Sequence, residues 1–220
     1  MSEPKYLVGI DLGTSNCAVA YLEPERGPDA PVLDFPVTQL QRPGETAARP
    51  LLPSCIYLPS PHELPPAATR LPWGEQPEWV VGEFARWQGT RVPGRLVASA
   101  KSWLCHPGVD RLAPILPWGA AADVSKLSPV AASARLLAHM AQAWNAAHPE
   151  APLAEQGVVI TVPASFDEVA RDLTQRAAEE AGYGKIVLLE EPQAAFYAWI
   201  ERYPDWRERV SVGDLILVVD

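Results

Sequence analysis

Tyr6-Leu7-Val8-Gly9-Ile10-Asp11-Leu12-Gly13-Thr14-Ser15-Asn16 is an apolar run that ends in an acid, a glycine, two hydroxyl residues and an asparagine. A short apolar run bounded by Asp and Gly predicts a strand over Tyr6–Asp11, and Cys17–Leu22 predicts its hairpin partner. Gly13 can take a backbone conformation that other residues resist. The turn can then aim backbone N–H groups and the Thr14 and Ser15 hydroxyls at an anion. Asp11, at the end of the strand, is placed to hold the counter-cation. Read alone, the stretch also fits an ordinary hairpin with a glycine turn, because short motifs recur by chance.

Working outward, Val32–Phe35 predicts a third strand. From about Pro36 to Val124 the pattern is broken by prolines. The chain has 24 of them, about twice the usual ~5% share, and they pre-set the backbone against regular sheet. The expectation is an irregular, loop-rich subdomain, whose tryptophans argue that it still packs. Within it Ser54–Leu58 reads as a strand, Gly82–Gln88 as the start of a short helix, and Leu96–Leu104 as a helix carrying Lys101. Ser128-Pro129 opens a helix, with Ser as cap and Pro in the first turn. Val130, Ala134, Leu137, Ala141 and Trp144 recur at helical spacing to about Ala147.

Gly157–Val162 is a continuous apolar run of the kind buried on both faces of a sheet. Ser165-Phe166-Asp167-Glu168 reads as a capping box, for a helix that runs to about Ala181 and stops at Gly182. Ile186–Leu189 is the next strand. Pro192 opens a helix that ends before Pro204, and Leu215–Val219 is a final apolar strand. Strand and helix alternate after residue 157, which implies parallel pairing through crossovers. With the antiparallel hairpin this predicts an α/β fold, a mixed sheet carrying helices on both faces.

A chain of 220 residues makes one large domain or two small ones. A formal charge of −9 argues against nucleic acid or a membrane surface as partner. No apolar run approaches the ~20 residues needed to span a bilayer. Met1-Ser2-Glu3-Pro4-Lys5 leads directly into a strand without a signal-peptide pattern, which points to the cytoplasm. Cys17, Cys55 and Cys105 have no metal-ligand spacing and read as reduced thiols. Cys17, just past the turn, reads as a small buried hydrophobe before it reads as a nucleophile. His62, His106, His139 and His148 form no cluster and read as surface or packing residues.

Two later segments go beyond a generic hairpin: Ile160-Thr161-Val162-Pro163-Ala164-Ser165-Phe166, and Glu190-Glu191-Pro192-Gln193-Ala194-Ala195. Together with Asp11-Leu12-Gly13-Thr14-Ser15-Asn16, they resemble the nucleotide-binding domain of the seventy-kilodalton heat-shock (DnaK-type) chaperones. That family belongs to the actin-like ATPases, whose core is a ribonuclease H-like sheet. The resemblance covers most of the chain, weakly between about Pro36 and Gly94. It implies a core subdomain from residues 1–36 and 125–212, an inserted proline-rich subdomain over 37–124, and the first strand of a truncated second lobe over 213–220.

The resemblance also implies roles. Gly13, Thr14 and Ser15 would bind the phosphates of ATP or ADP, and Asp11 and Asp220 would hold Mg²⁺, largely through water. Lys101 matches the catalytic lysine and Glu191 the acid that orients the attacking water. Pro163 and Arg171 match positions that communicate with a substrate-binding domain. Alone, Lys101 reads as a solvated helix lysine and Glu191 as an acid at a helix N-terminus; only the combination makes them catalytic candidates. The family usually has Asn where this chain has Glu190, Thr where it has Gln193, and an aromatic where it has Ser165.

The implied function is an ATPase domain that drives binding and release of unfolded client peptides, with J-domain and nucleotide-exchange co-chaperones as partners. The family's domain is longer than this chain, so the expectation is a fragment with little activity of its own. A small-molecule kinase of the same superfamily is the alternative. A non-enzymatic assembly module that self-associates through 215–219 is the third.

Overall fold

The computed structural model describes residues 3–75 and 78–218. Strand β1 (Leu7–Leu12) alternates: Val8, Ile10 and Leu12 are buried, while Leu7, Gly9 and Asp11 are exposed. It turns back into β2 (Asn16–Leu22), paired antiparallel with Leu12 opposite Cys17 and Ile10 opposite Val19. β3 (Leu33–Asp34) adds antiparallel to β2.

The proline-rich stretch holds more sheet than its composition predicts. β4 (Val37–Arg42) and β5 (Glu45–Arg49) form a hairpin. β6 (Leu52–Pro53) pairs with β2, so this stretch contributes a strand to the main sheet. β7 (Cys55–Tyr57), the pair β8 (Arg70–Leu71) and β9 (Gly74–Glu75), and β10 (Val80–Val81) follow. They lead to helix α1 (Glu83–Arg91). The ladders are short, and among the described residues the prolines fall between them or, in the case of Pro53, on the edge strand β6. Trp73 and Trp79 pack partly buried against the core, as expected of a folded subdomain.

The helix expected over Leu96–Leu104 is instead β11 (Leu96–Ala98) followed by the single turn α2 (Ala100–Trp103). Leu96, Val97 and Ala98 pair antiparallel with Tyr57, Ile56 and Cys55, and that non-local ladder overrides their helical propensity.

Helix α3 (Pro129–Ala147) starts as expected, with the Ser128 Oγ accepting from Ala131 N at 3.1 Å. Val130, Ala134, Leu137, Ala141 and Trp144 are all buried on it. β12 (Gly157–Val162) then pairs parallel with β1. Helix α4 (Glu168–Glu180) crosses over to β13 (Ile186–Glu190), parallel to β12. The main sheet runs β13-β12-β1-β2-β3, a mixed sheet in an α/β fold. One apolar cluster joins Val8, Ile10, Leu12, Ile160 and Val162 to Leu137, Trp144, Leu173 and Ala177 of α3 and α4.

Three expectations change here. β12 is buried on one face, with Val158, Ile160 and Val162 inside and the alternate residues half-buried. Helix α5 (Glu191–Arg202), which touches β12 and β13, has no buried residue and leaves the second face partly open. The cap of α4 is Asp167, whose Oδ1 accepts from Ala170 N at 2.7 Å, rather than Ser165. Arg111 grips both Asp167 oxygens at 3.0 Å, and that guanidinium, with the cap bond, holds the carboxyl below its usual range. Finally, after α6 (Trp206–Arg209), Leu215–Val218 form no strand and are exposed: among the described residues nothing pairs with them. The strand expected over Leu215–Val219 is therefore not formed over its described residues. Val219 and Asp220 lie outside the described residues.

The other end of α4 is as expected. Gly182 sits at φ +83, and Tyr183 N and Gly182 N bond back to Ala178 O and Glu179 O at 3.0 Å. That double bond is the Schellman stop.

His139 on α3 is 2% exposed, with Nε2 3.0 Å from Thr38 O and its ring edge-on to Trp73. Burial pushes its pKa down to about 4. The unfolded chain therefore binds a proton between its ordinary value and about pH 4 that the folded chain refuses. Stability is complete above pH 6.5 and falls as pH drops through that window, by about 2 kcal/mol at pH 5. Urea unfolding at pH 7 and pH 5 reads it, and His139→Gln is expected to flatten that difference.

Candidate functional site

The parallel strands β1, β12 and β13 all end at one edge of the sheet, the edge where open α/β sheets receive ligands. Asp11, Thr161 and Glu190 stand at those strand ends, and Glu191 opens α5 just beyond. The β1–β2 turn lies at the same edge. Among the described residues no helix is long and apolar enough to cross a membrane.

In the turn, Thr14 and Ser15 are exposed. Gly13 is needed, but not for the reason that its type suggests: it is not among the glycines at positive φ. A Cβ there would stand 2.1 Å from Asn16 O. Close approach of two backbone segments, rather than left-handed geometry, demands the glycine. The turn is braced from behind by Ser54, which follows β6. Its Oγ donates to Gly13 O at 2.6 Å and its N to Ser15 O at 2.9 Å. Cys17 Sγ lies 3.3 Å from the same Oγ. Ser54→Ala leaves the buried side of the turn short of a donor. It is expected to cost about 1–2 kcal/mol in urea unfolding.

Cys17 is fully buried, and burial above all pushes its thiol up to about 11, with the Asp11 carboxylate adding to the effect. It is the small core hydrophobe that its position suggested. Lys101 acts on the same thiol in the opposite sense, so Asp11, the turn and Lys101 share one neighbourhood.

Lys101 is not a solvated lysine. Its side chain is 5% exposed, and its Nζ donates to Glu191 Oε1 across 90 residues of chain. Ser99, just before α2, sits at φ +54, an uncommon backbone for serine. That strained residue turns the chain from β11 into the single helical turn that carries Lys101. The neighbouring acid is also taken: Arg171 on α4 donates to Glu190 Oε1 at 2.7 Å. Consecutive acids thus hold two cations from different elements. The Arg171 pair gives a physical reason for an acid at 190, where the resembled family has Asn. Pro163 ends β12 half-buried, its carbonyl accepting from Phe166 N at 3.0 Å.

Two residues that sequence reasoning did not single out complete the edge. Thr161 donates its hydroxyl to Asp11 Oδ1 at 2.9 Å, which follows from Asp11 standing opposite Thr161 in the parallel register. The period of the strand places Thr161 on the open face, a signal that was available. Ser54 left none, because its contact spans 41 residues. Among the described residues no group of three His, Cys, Asp or Glu side chains gathers at one point. Asp11 Oδ2 accepts no hydrogen bond among the described residues, and Asp220 lies outside them.

The arrangement offers exposed hydroxyls on a braced turn, a carboxylate with one free oxygen, and a buried ammonium paired with a half-buried carboxylate. These suit an anion accompanied by a hard cation. Comparison with known proteins gives the family. The model of the family described as Hsp70 protein matches residues 71–215. "Chaperone protein HscA" of Enterobacter sp. (strain 638) is 32% identical over 204 residues, covering 87% of this chain and 28% of the relative. The "Chaperone protein HscA homolog" of Pasteurella multocida (strain Pm70) is 31% identical over 209 residues, 89% of this chain and 28% of the relative. The homolog of Chromobacterium violaceum is 33% identical over 205 residues, with 87% and 28% covered. The chain thus spans a little over a quarter of the length of these relatives.

Proposed function

The chain belongs to the Hsp70 protein family, and from that premise we propose that it forms one wall of a Mg-ATP site whose hydrolysis drives client-peptide binding and release in a full-length chaperone. The observation that carries the reading is the pairing of the buried Lys101 with the half-buried Glu191 at the strand-end edge, beside the braced turn. On this reading residues 1–36 and 125–212 are the core subdomain and 37–124 the inserted one. The relatives are named chaperones, which favours this over a small-molecule kinase. J-domain and nucleotide-exchange proteins would be the co-chaperones, in the cytoplasm.

Each residue has a task. The turn amides, with Thr14 and Ser15, hold the phosphate oxygens, and Gly13 lets the turn close against Asn16. Asp11, with Asp220, would hold Mg²⁺ through its waters; bound there, the ion neutralises charge on the phosphate oxygens. Thr161 fixes the Asp11 carboxylate by occupying Oδ1. Lys101 offsets charge that develops near the γ-phosphate, and Glu191 orients the attacking water with the oxygen that Lys101 leaves free. Phosphoryl transfer needs this positioning and charge stabilisation more than covalent chemistry. Arg171, tied to Glu190, and Pro163, at the end of β12, would pass the state of the site to α4 and the chain beyond.

Titrating the ¹⁵N-labelled chain with Mg-ATP tests the reading. The expected shifts concentrate at Gly13, Thr14, Ser15, Thr161 and Glu191. With a single wall of the cleft, the dissociation constant is expected in the millimolar range. Shifts confined to other residues, or none at saturating nucleotide, would overturn it.

A further inference from the structure

A groove of about 660 Å³ opens between the proline-rich stretch and the start of α3, and none of the strand-end site residues lines it. Pro59, Pro61 and Leu64 line one side of it, and Arg95, Lys126 and Arg135 bring three cations to it. We propose that this groove binds a short acidic peptide segment of a partner protein, one that alternates carboxylate and apolar side chains.

The three cations are not equivalent. Arg95 is committed, paired with Asp123 and donating to Leu58 O at 3.2 Å. Lys126 and Arg135 make no side-chain hydrogen bond or ion pair among the described residues. Arg135 is half-buried on α3, with its guanidinium 5.2 Å from the centre of the Trp79 ring. Burial holds it below its ordinary pKa, and Glu78 at the groove offsets only part of that. The half-buried guanidinium faces the groove with no protein acceptor among the described residues, so its donors are open to a ligand. An incoming carboxylate supplies the acceptor in a geometry that a guanidinium matches.

The chain's charge and the groove's size choose among anions. A formal charge of −9 repels an extended polyanion, so a nucleic acid or a charged bilayer gains little from one small cationic groove. A volume of about 660 Å³ accepts a few side chains and no folded domain. The prolines offer no N–H to a ligand, and with Leu64 they present apolar rings and methyls. A free inorganic anion would leave that surface wet, whereas apolar side chains of a peptide cover it.

The test is fluorescence anisotropy with a fluorescein-labelled peptide that alternates leucine and glutamate, titrated with the 220-residue chain. Saturable binding is expected, weakened about tenfold by Arg135→Gln and measurably by Lys126→Gln. The matching leucine–lysine peptide is expected not to bind, and Arg26→Gln, on another surface, to change nothing. Thermal melts establish that each variant is folded; where Arg135→Gln is not, Lys126→Gln decides. Unchanged binding in the deciding variant, equal binding of the lysine peptide, or full displacement by equimolar inorganic phosphate would each overturn the proposal.

Discussion

Gly13→Ala is expected to lower the unfolding free energy by at least about 3 kcal/mol and to erase any Mg-ATP response of the turn. The new Cβ would lie 2.1 Å from Asn16 O and 3.3 Å from Asn16 C, both backbone atoms that no rotamer change can move. Asn16 cannot retreat alone, because it is the first residue of β2 and stands opposite Pro53 of β6. Nor can residue 13 retreat, since its carbonyl is held by Ser54 at 2.6 Å. The turn must therefore open, breaking the brace and misplacing the Thr14 and Ser15 amides together. Gly9→Ala is the control: four residues earlier, on the strand that leads into the turn, its Cβ would meet nothing nearer than 4.0 Å. That variant is expected within about 0.5 kcal/mol of the parent. Urea denaturation of both, with the slopes compared, separates the two cases. A Gly13→Ala protein as stable as Gly9→Ala would show that close approach is not what the turn depends on.

What the sequence made legible was local. The β1–turn–β2 hairpin is bounded by its own Asp and Gly, and α3 carries its cap at Ser128 and its apolar face at three- and four-residue spacing. The features that escaped are made by distant partners. Leu96–Ala98 looks helical until Cys55–Tyr57 offers it a ladder. The cap of α4 is a local exception: Ser165 and Asp167 both have the right chemistry, and it is Asp167 that takes Ala170 N, with Arg111 steadying its carboxylate. The continuous apolar run of β12 says nothing about how completely α5 covers its second face. The site divides in the same way. The residue types of the turn could be read directly, and Lys101 and Glu191 were reached through resemblance. The brace from Ser54 and the Arg171–Glu190 pair depend on packing between elements that no local pattern encodes.

The ion pair yields the second large effect, and its asymmetry separates chemistry from scaffolding. Glu191→Ala leaves an ammonium that is 5% exposed without its partner, beside a buried thiol. Removing one member of such a pair is expected to cost about 3 kcal/mol. Lys101→Met removes the buried charge itself and keeps much of the volume. The Glu191 side chain, 26% exposed, can then take water as its partner. This variant is expected within about 1 kcal/mol of the parent, in either direction. The double variant Lys101→Met/Glu191→Ala is expected to recover most of what Glu191→Ala loses, a coupling of about 2 kcal/mol in a double-mutant cycle. In a full-length protein of this family all three should lose ATP turnover by at least about 100-fold, and the double variant no more than the singles, because the two groups act as one unit. A pair retained for stability predicts the reverse: Lys101→Met as damaging to folding as Glu191→Ala, with turnover falling only in proportion to the unfolded fraction. A buried charge that folding tolerates losing, and turnover does not, is one that the site keeps for its chemistry.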